Sequence, residues 1–167
     1  MLALVTGASS GIGLEYAKQL ARDYHTDLLL VSNQEEEQKK VAADLAAQYG
    51  VKTIALYADL SKQDAAEQLL QYCKDNNLVV DILINNAGVF FFNPYCETSM
   101  KRIELMLNLH MITVAKLTRL FGEEMINRQL TAEEQAQKLC RKPRQKGYIL
   151  NMSSMSAWMA MPGIQTY

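Results

Sequence analysis

The sequence predicts an α/β fold, parallel strands joined by crossover helices, and three observations lead there. Short runs rich in Val, Ile and Leu alternate with longer segments of helical period. Each short run is hydrophobic almost throughout, as a strand must be when helices cover both faces of its sheet. The chain has 167 residues, 49% of them hydrophobic and 21% charged, which is the length of one domain and enough apolar material for a sizeable core.

The expected strands run from Leu2 to Val5, Asp27 to Ser32, Lys52 to Tyr57, Ile82 to Asn85 and Tyr148 to Met152. Between them, residues 13–23, 35–49, 61–76 and 99–128 place apolar side chains at three- and four-residue intervals and are the expected helices. Ala17, Leu20 and Ala21 form one apolar stripe. Leu105, Leu109, Ile112 and Leu120 contribute to a second, in which Met111 and Met125 are expected to fill gaps. No repeat, low-complexity tract or Gly/Ser linker divides this order, so residues 1–167 read as a single domain. Residues 129–146 depart from the pattern, carrying Lys138, Arg141, Lys142, Arg144 and Lys146 close together, and read as a solvated excursion.

Composition removes several classes of function. Seventeen Lys and Arg against 18 Asp and Glu leave a formal charge of -1, so no overall positive field exists to hold a nucleic acid. No apolar run approaches the roughly 18 residues of a membrane span, and no basic leader or cleavage site precedes the first strand. No membrane partner and a cytoplasmic location are therefore expected. Cys73, Cys96 and Cys140 fit neither a disulfide framework nor a CxxC site and read as reduced thiols. His25 and His110 lack partners at ligand spacing, so no metal site is expected and both read as structural or solvated.

The chemistry starts directly after the first strand, at Thr6-Gly7-Ala8-Ser9-Ser10-Gly11-Ile12-Gly13. Glycine permits positive φ in a tight turn, and without a Cβ it lets backbone N–H groups approach a diphosphate at the positive end of the following helix. The hydroxyls of Ser9 and Ser10 can add donors. After the third strand, Asp59 offers a carboxylate that could accept from an adenine amino group. Asn85-Asn86-Ala87-Gly88 ends the fourth strand, where small residues let the backbone pass close to a ribose. That carboxyl edge is where open α/β sheets bind ligands.

Together these residues resemble the short-chain dehydrogenases/reductases. TGASSGIG at 6–13, Asp59-Leu60, NNAG at 85–88, Asn108 in the fourth helix, and NMSS at 151–154 followed thirteen residues later by Tyr167 match that family's pattern in order. The resemblance implies a Rossmann-type doubly wound parallel sheet lacking the family's last strands. It also implies an NAD(P) cofactor and reversible hydride transfer between that cofactor and an alcohol or carbonyl. By position, Thr6, Gly7, Ser9, Ser10, Gly11, Ile12 and Gly13 would hold the diphosphate region, Asp59 and Leu60 the adenine, and Asn86, Ala87 and Gly88 the adenosine ribose. Ser154 corresponds to the family's catalytic serine, Asn108 to the helix-interrupting asparagine that anchors a water, and Tyr167 to the acid/base.

Those residue types suit the reaction. Carbonyl reduction builds alkoxide character on oxygen, which needs a hydrogen-bond donor and a proton source. A free phenol titrates near 10, so base action near neutrality asks for a depression of about 3 units, roughly 4 kcal/mol. The family attributes most of it to a lysine four residues after the tyrosine. The sequence ends at Tyr167, so the domain reads as incomplete at its C-terminus and impaired in catalysis, with a non-catalytic dinucleotide-binding or interaction module as the alternative. A homodimer or tetramer is expected for a full-length form. Val31, Ser32, Asn33 and Gln34, ending the second strand, should face the ribose. The lack of a carboxylate there leans slightly to NADP, while Glu35, Glu36 and Glu37 argue for NAD. Val89 to Phe92 and residues 157–161 would suit a hydrophobic carbonyl or alcohol substrate.

Overall fold

The computed structural model describes residues 1–128 and 147–154. Within them the chain runs β1 (Leu2–Thr6), α1 (Gly11–Tyr24), β2 (Asp27–Ser32), α2 (Glu35–Tyr49), β3 (Thr53–Tyr57), α3 (Ala65–Asp75), β4 (Ile82–Asn85), α4 (Met100–Leu107), a π turn (Asn108–Ile112), α5 (Thr113–Asn127) and β5 (Tyr148–Asn151). The strands form one sheet in the order β3-β2-β1-β4-β5, every pair parallel. The predicted strand-helix alternation is therefore the observed one, with ends moved by a few residues. The basic segment 129–146 and residues 155–167 lie outside the described residues, and with them Cys140, Trp158 and Tyr167.

Alternate residues of each strand serve opposite faces, which is why the strands are apolar throughout. Ala3 and Val5 of β1 join Leu28 and Leu30 of β2 in a core under α1 and α2. Leu4, Leu29, Val31 and Leu83 point the other way, into a core closed by Leu69 of α3 and by Leu117 and Phe121 of α5. The stripe on α1 consists of small residues, Gly13, Ala17 and Ala21, all buried, so that helix lies close on the sheet. Gln38 of α2 is buried at 1% exposure, its amide donating to the carbonyls of Leu30 and Leu56 and so bracing β2 to β3.

Two expectations need correction. The segment 61–64 is not helical, because Asp59 Oδ1 accepts from the backbone N–H and the hydroxyl of Ser61 (3.1 and 2.7 Å) in a local turn that delays α3 to Ala65. The long helix expected over 99–128 is interrupted at Asn108, where a π turn inserts one extra residue. That insertion rotates the buried face: Ile112 is 46% exposed and Met111 61% exposed, while Thr113, Leu117, Phe121 and Met125 continue the core stripe. Met111 is accordingly not a gap-filler, whereas Met125 is, lying against Gly147.

Cys73 is buried and Cys96 exposed, both free thiols; burial pushes the Cys73 thiol up to about 11. Among the described residues no helix is long and apolar enough to cross a membrane, and no group of three metal-ligating side chains is found. The shifted face has a measurable consequence. Leu117→Ala is expected to lower the free energy of unfolding by about 2 to 5 kcal/mol, and Ile112→Ala to change it by less than about 0.5 kcal/mol. Urea unfolding of both variants measures this; equal losses would contradict the rotation.

Candidate functional site

The strand order reverses at β1, since the chain steps outward through β2 and β3 and then returns to place β4 on the other side. The crevice beyond the carboxyl ends of β1 and β4 is thus the switch point at which such sheets take ligands. Two turns meet there. The β1–α1 turn has Gly7 at φ +67° and Gly11 at φ +58°, left-handed values that favour glycine. The turn after β4 lies against it so closely that a Cβ on Gly7 would stand 2.9 Å from Ala87 Cα and one on Gly13 would stand 2.5 Å from Asn86 Nδ2; within the β1–α1 turn itself, a Cβ on Gly13 would stand 2.3 Å from the Gly7 carbonyl oxygen.

Side chains weld the two turns together. Thr6 Oγ1 donates to the Ile84 carbonyl (3.2 Å) and accepts from the backbone N–H of Asn86 and Ala87 (2.9 and 3.0 Å). Asn86 Nδ2 returns two hydrogen bonds, to the carbonyls of Thr6 (3.0 Å) and Gly7 (3.3 Å). Above this floor lies a cavity of about 480 Å³, lined among others by Gly7, Ser9, Ser10, Ser32, Asn33, Asp59, Leu60, Asn86, Ala87 and Gly88. Ten of the residues singled out in the sequence for cofactor binding therefore share one cavity. Thr6 and Gly13 lie beneath the floor as braces, 2% exposed and buried respectively, and Gly11 is exposed at the turn.

The electrostatics of this cavity favour an anion at one end. Ser10 caps α1 without a side-chain hydrogen bond, and the first turn of that helix has no acidic residue, so its N–H groups and positive dipole end meet the turn unneutralised. Helix α2 is the contrast, with Glu35, Glu36 and Glu37 in its first turn. Between them runs a closed ring of uncharged groups: Gln34 N–H donates to Ser32 Oγ (3.1 Å), Ser32 to Ser9 Oγ (3.0 Å), and Ser9 to Gln34 Oε1 (2.6 Å). Gln34, expected with Ser32 and Asn33 to face the ribose, lines the cavity with them, whereas Val31, expected there too, is buried in the core. Leu105 and Leu109, read from the sequence only as part of a helix stripe, also line the cavity. The two leucines reach the cavity through helix packing that the sequence does not display.

A second cavity, about 330 Å³, lies on the other side of the 86–88 turn and holds Ser154 together with Ile12, His110, Val114 and Met152. Ile12, placed by the sequence with the diphosphate residues, thus faces this cavity and not the first. The end of β5 that carries Ser154 is tied down three residues earlier, where Asn85 Nδ2 donates to Asn151 Oδ1 (2.8 Å) and to Thr118 Oγ1 (3.3 Å). Asn108 lines neither cavity. It opens the π turn, and its carbonyl accepts from the Thr113 N–H. His110, two residues on, is the residue the sequence undervalued, and burial lowers its pKa below the ordinary imidazole value. Tyr167 lies outside the described residues, so its distance to Ser154 is not part of this geometry.

The close approach of backbone to backbone makes the glycines unequal. Gly13→Ala requires the Gly7 carbonyl to move and is expected to cost about 3 kcal/mol or more, while Gly11→Ala meets open space and costs only the left-handed conformation, about 1 to 2 kcal/mol. Thermal unfolding of the two variants ranks them, and the reverse order would refute the packing described.

Comparison with known proteins agrees with this geometry. The sequence model of the short chain dehydrogenase family matches residues 1–167. A very-long-chain 3-oxoacyl-CoA reductase of Anas platyrhynchos is 30% identical over 99% of this chain and 48% of its own length. One of Pyricularia oryzae is 32% identical over 99% of this chain and 46% of its own. The chain spans about half the length of the curated relatives it matches. Among solved structures, a short-chain dehydrogenase from Sphingobium yanoikuyae in complex with NADPH superposes with a TM-score of 0.82 at 26% identity, over 99% of this chain and 58% of that one. The fold is also that of an alcohol dehydrogenase from Comamonas testosteroni specific for bulky-bulky ketones, TM-score 0.82, 24% identical, over 99% of this chain and 59% of that one. With the parallel sheet, the glycine turn at its switch point and a family match over the whole sequence, the chain belongs to the short-chain dehydrogenases.

Proposed function

We propose that this chain carries the dinucleotide-binding part of an NADP-dependent reductase acting on carbonyl compounds with an apolar chain. The observation that carries the reading is the 480 Å³ cavity at the switch point, floored by backbone that comes close only because Gly7 and Gly13 lack a Cβ. The residues present fit a dinucleotide. The exposed N–H groups at the start of α1 suit a diphosphate, Asp59 and Leu60 suit an adenine, and Ala87 and Gly88 offer backbone to a ribose.

NADP over NAD is supported by what faces the second-strand end. Ser32, Asn33 and Gln34 line the cavity there without a carboxylate to repel a 2′-phosphate. The glutamates that argued for NAD are drawn outward: Lys39 pairs with Glu35 (2.8 Å) and Glu36 (3.1 Å) on the exposed face of α2. The NADPH complex of the Sphingobium relative supports the same choice. The reductases of Anas and Pyricularia support a 3-oxoacyl thioester as the substrate class, and Ile12, Val114 and Met152 give the Ser154 cavity an apolar wall.

A bound nicotinamide supplies or takes up a hydride. The chain's own groups would manage the oxygen of the substrate. Ser154 would donate a hydrogen bond to the oxygen as it gains negative charge, and Tyr167 would give it a proton in reduction and remove one in oxidation. The phenol does this near neutrality only beside a positive charge. A lysine one helical turn past the tyrosine is the family's source of that charge.

Titration of the chain with NADPH and NADH, followed by the fluorescence of the reduced dinucleotide, tests the reading. NADPH is expected to bind more tightly, and Asn33→Asp to weaken NADPH by about tenfold or more while leaving NADH nearly unchanged. Equal binding of both by the unaltered chain would remove the NADP assignment, and no binding of either would remove the cofactor site. Binding without reduction of a 3-oxoacyl thioester, in a protein that carries the lysine after Tyr167, would point to a non-catalytic dinucleotide-binding module.

A further inference from the structure

We propose that His110 is a positioning residue, a latch that holds the turn between the two cavities in the shape that the dinucleotide requires. This inference rests on the dinucleotide reading of the switch-point cavity. Residues 86–89 form a short turn with an anchor at each end. At its start, Thr6 Oγ1 accepts from the N–H groups of Asn86 and Ala87. At its far end, Nε2 of His110 lies 3.0 Å from the backbone nitrogen of Val89 and 3.0 Å from its carbonyl oxygen. Between the anchors, Gly88 packs against the imidazole, where a Cβ would stand 2.9 Å from His110 Cε1.

The ring thereby shapes both sides of the turn. Gly88 and Val89 line the cavity assigned to the dinucleotide, and Gly88 and His110 line the cavity that holds Ser154. His110 reaches this place from the π turn Asn108–Ile112, whose extra residue sets the face of the helix on that side. A helix side chain of another type could fill the space, but the bond to Val89 demands a particular one. The Val89 N–H needs an acceptor, and imidazole supplies it at Nε2 only when neutral, with its proton on Nδ1.

Protonation removes that acceptor. A charged ring carries hydrogen on both nitrogens, so Nε2 can then only donate to the Val89 carbonyl and the N–H loses its partner. The Val89 carbonyl favours the charged ring, and burial opposes it more strongly. Ile12 from α1, Val114 from α5, and Met152 and Ser154 from the end of β5 face the same cavity, and Asp59, across the adjoining cavity, is the carboxylate among the described residues lining either. On α4, Arg102 lies over the Phe91 ring at 4.8 Å, adding like charge to the loop that follows Val89. Burial already lowers the imidazole pKa, so the latch is closed at neutral pH and opens only below the ordinary imidazole range.

The chain has two histidines, which makes the latch directly visible. Nitrogen-15 spectra of the two imidazoles in the dinucleotide-free protein are expected to show His110 unprotonated at Nε2 at neutral pH. NADPH binding is then measured across pH for the unaltered chain, His110→Ala and His110→Gln. His110→Ala is expected to bind about three- to tenfold more weakly, the range set by loss of one partly buried hydrogen bond. His110→Gln, which can present an acceptor at every pH, should recover most of that affinity and lose the extra weakening on the acid side. A proton on Nε2 at neutral pH overturns the latch, as does an acid limb identical in His110→Gln and the unaltered chain. Should His110→Ala fail to fold, the comparison with His110→Gln decides alone. Absence of NADPH binding by the unaltered chain overturns the cofactor reading instead, and the imidazole spectra still judge the latch.

Discussion

The structure depends on one close approach, that of the β1–α1 turn to the turn after β4. Two pieces of backbone come together at the centre of the sheet with no Cβ at Gly7 or Gly13 to hold them apart. Thr6 and Asn86 then satisfy the polar groups that this proximity would otherwise leave buried and unpaired. The same feature serves stability and shapes the cavity. A contact that seals the core below also leaves a crevice above, bounded by backbone N–H groups and by the unneutralised start of α1.

Polarity around that crevice follows a division of labour between helix ends. Helix α1 presents its N-terminus bare, and α2 covers its own with three glutamates, two of which are paired with Lys39. An anion is thereby favoured beside the glycine turn, and the region at the end of β2 is left to the uncharged ring of Ser9, Ser32 and Gln34. Such a ring spends its hydrogen bonds internally and fixes the shape of the wall without imposing a charge.

The strands and the glycine turn were legible in the sequence because each is set by a local rule: apolar runs for a sheet covered on both faces, and glycine where φ is positive or backbone approaches backbone. The interruption at Asn108 was legible only through the family resemblance. Helical spacing over 99–128 predicted Ile112 in the core, and the extra residue of the π turn put Thr113 there instead. Leu105 as a cavity wall and His110 as a partner of the turn were hidden for a different reason. Their roles arise from contacts with residues 21 or more positions away, such as His110 with Val89, and no periodicity within a single element records such a contact.

The position of Ser154 shows how the scaffold extends from binding toward chemistry. Asn85 ends the strand that leads into the 86–89 turn, and its side chain also grips Asn151, three residues before Ser154. Thr118 of α5 joins them by donating to Asn151 Oδ1 at 3.3 Å. The end of β5 is therefore referenced to the same strand, β4, as the turn between the cavities. A displacement of β4 would move both together, so the spacing between the switch-point cavity and Ser154 is set by packing within the sheet and not by either turn alone.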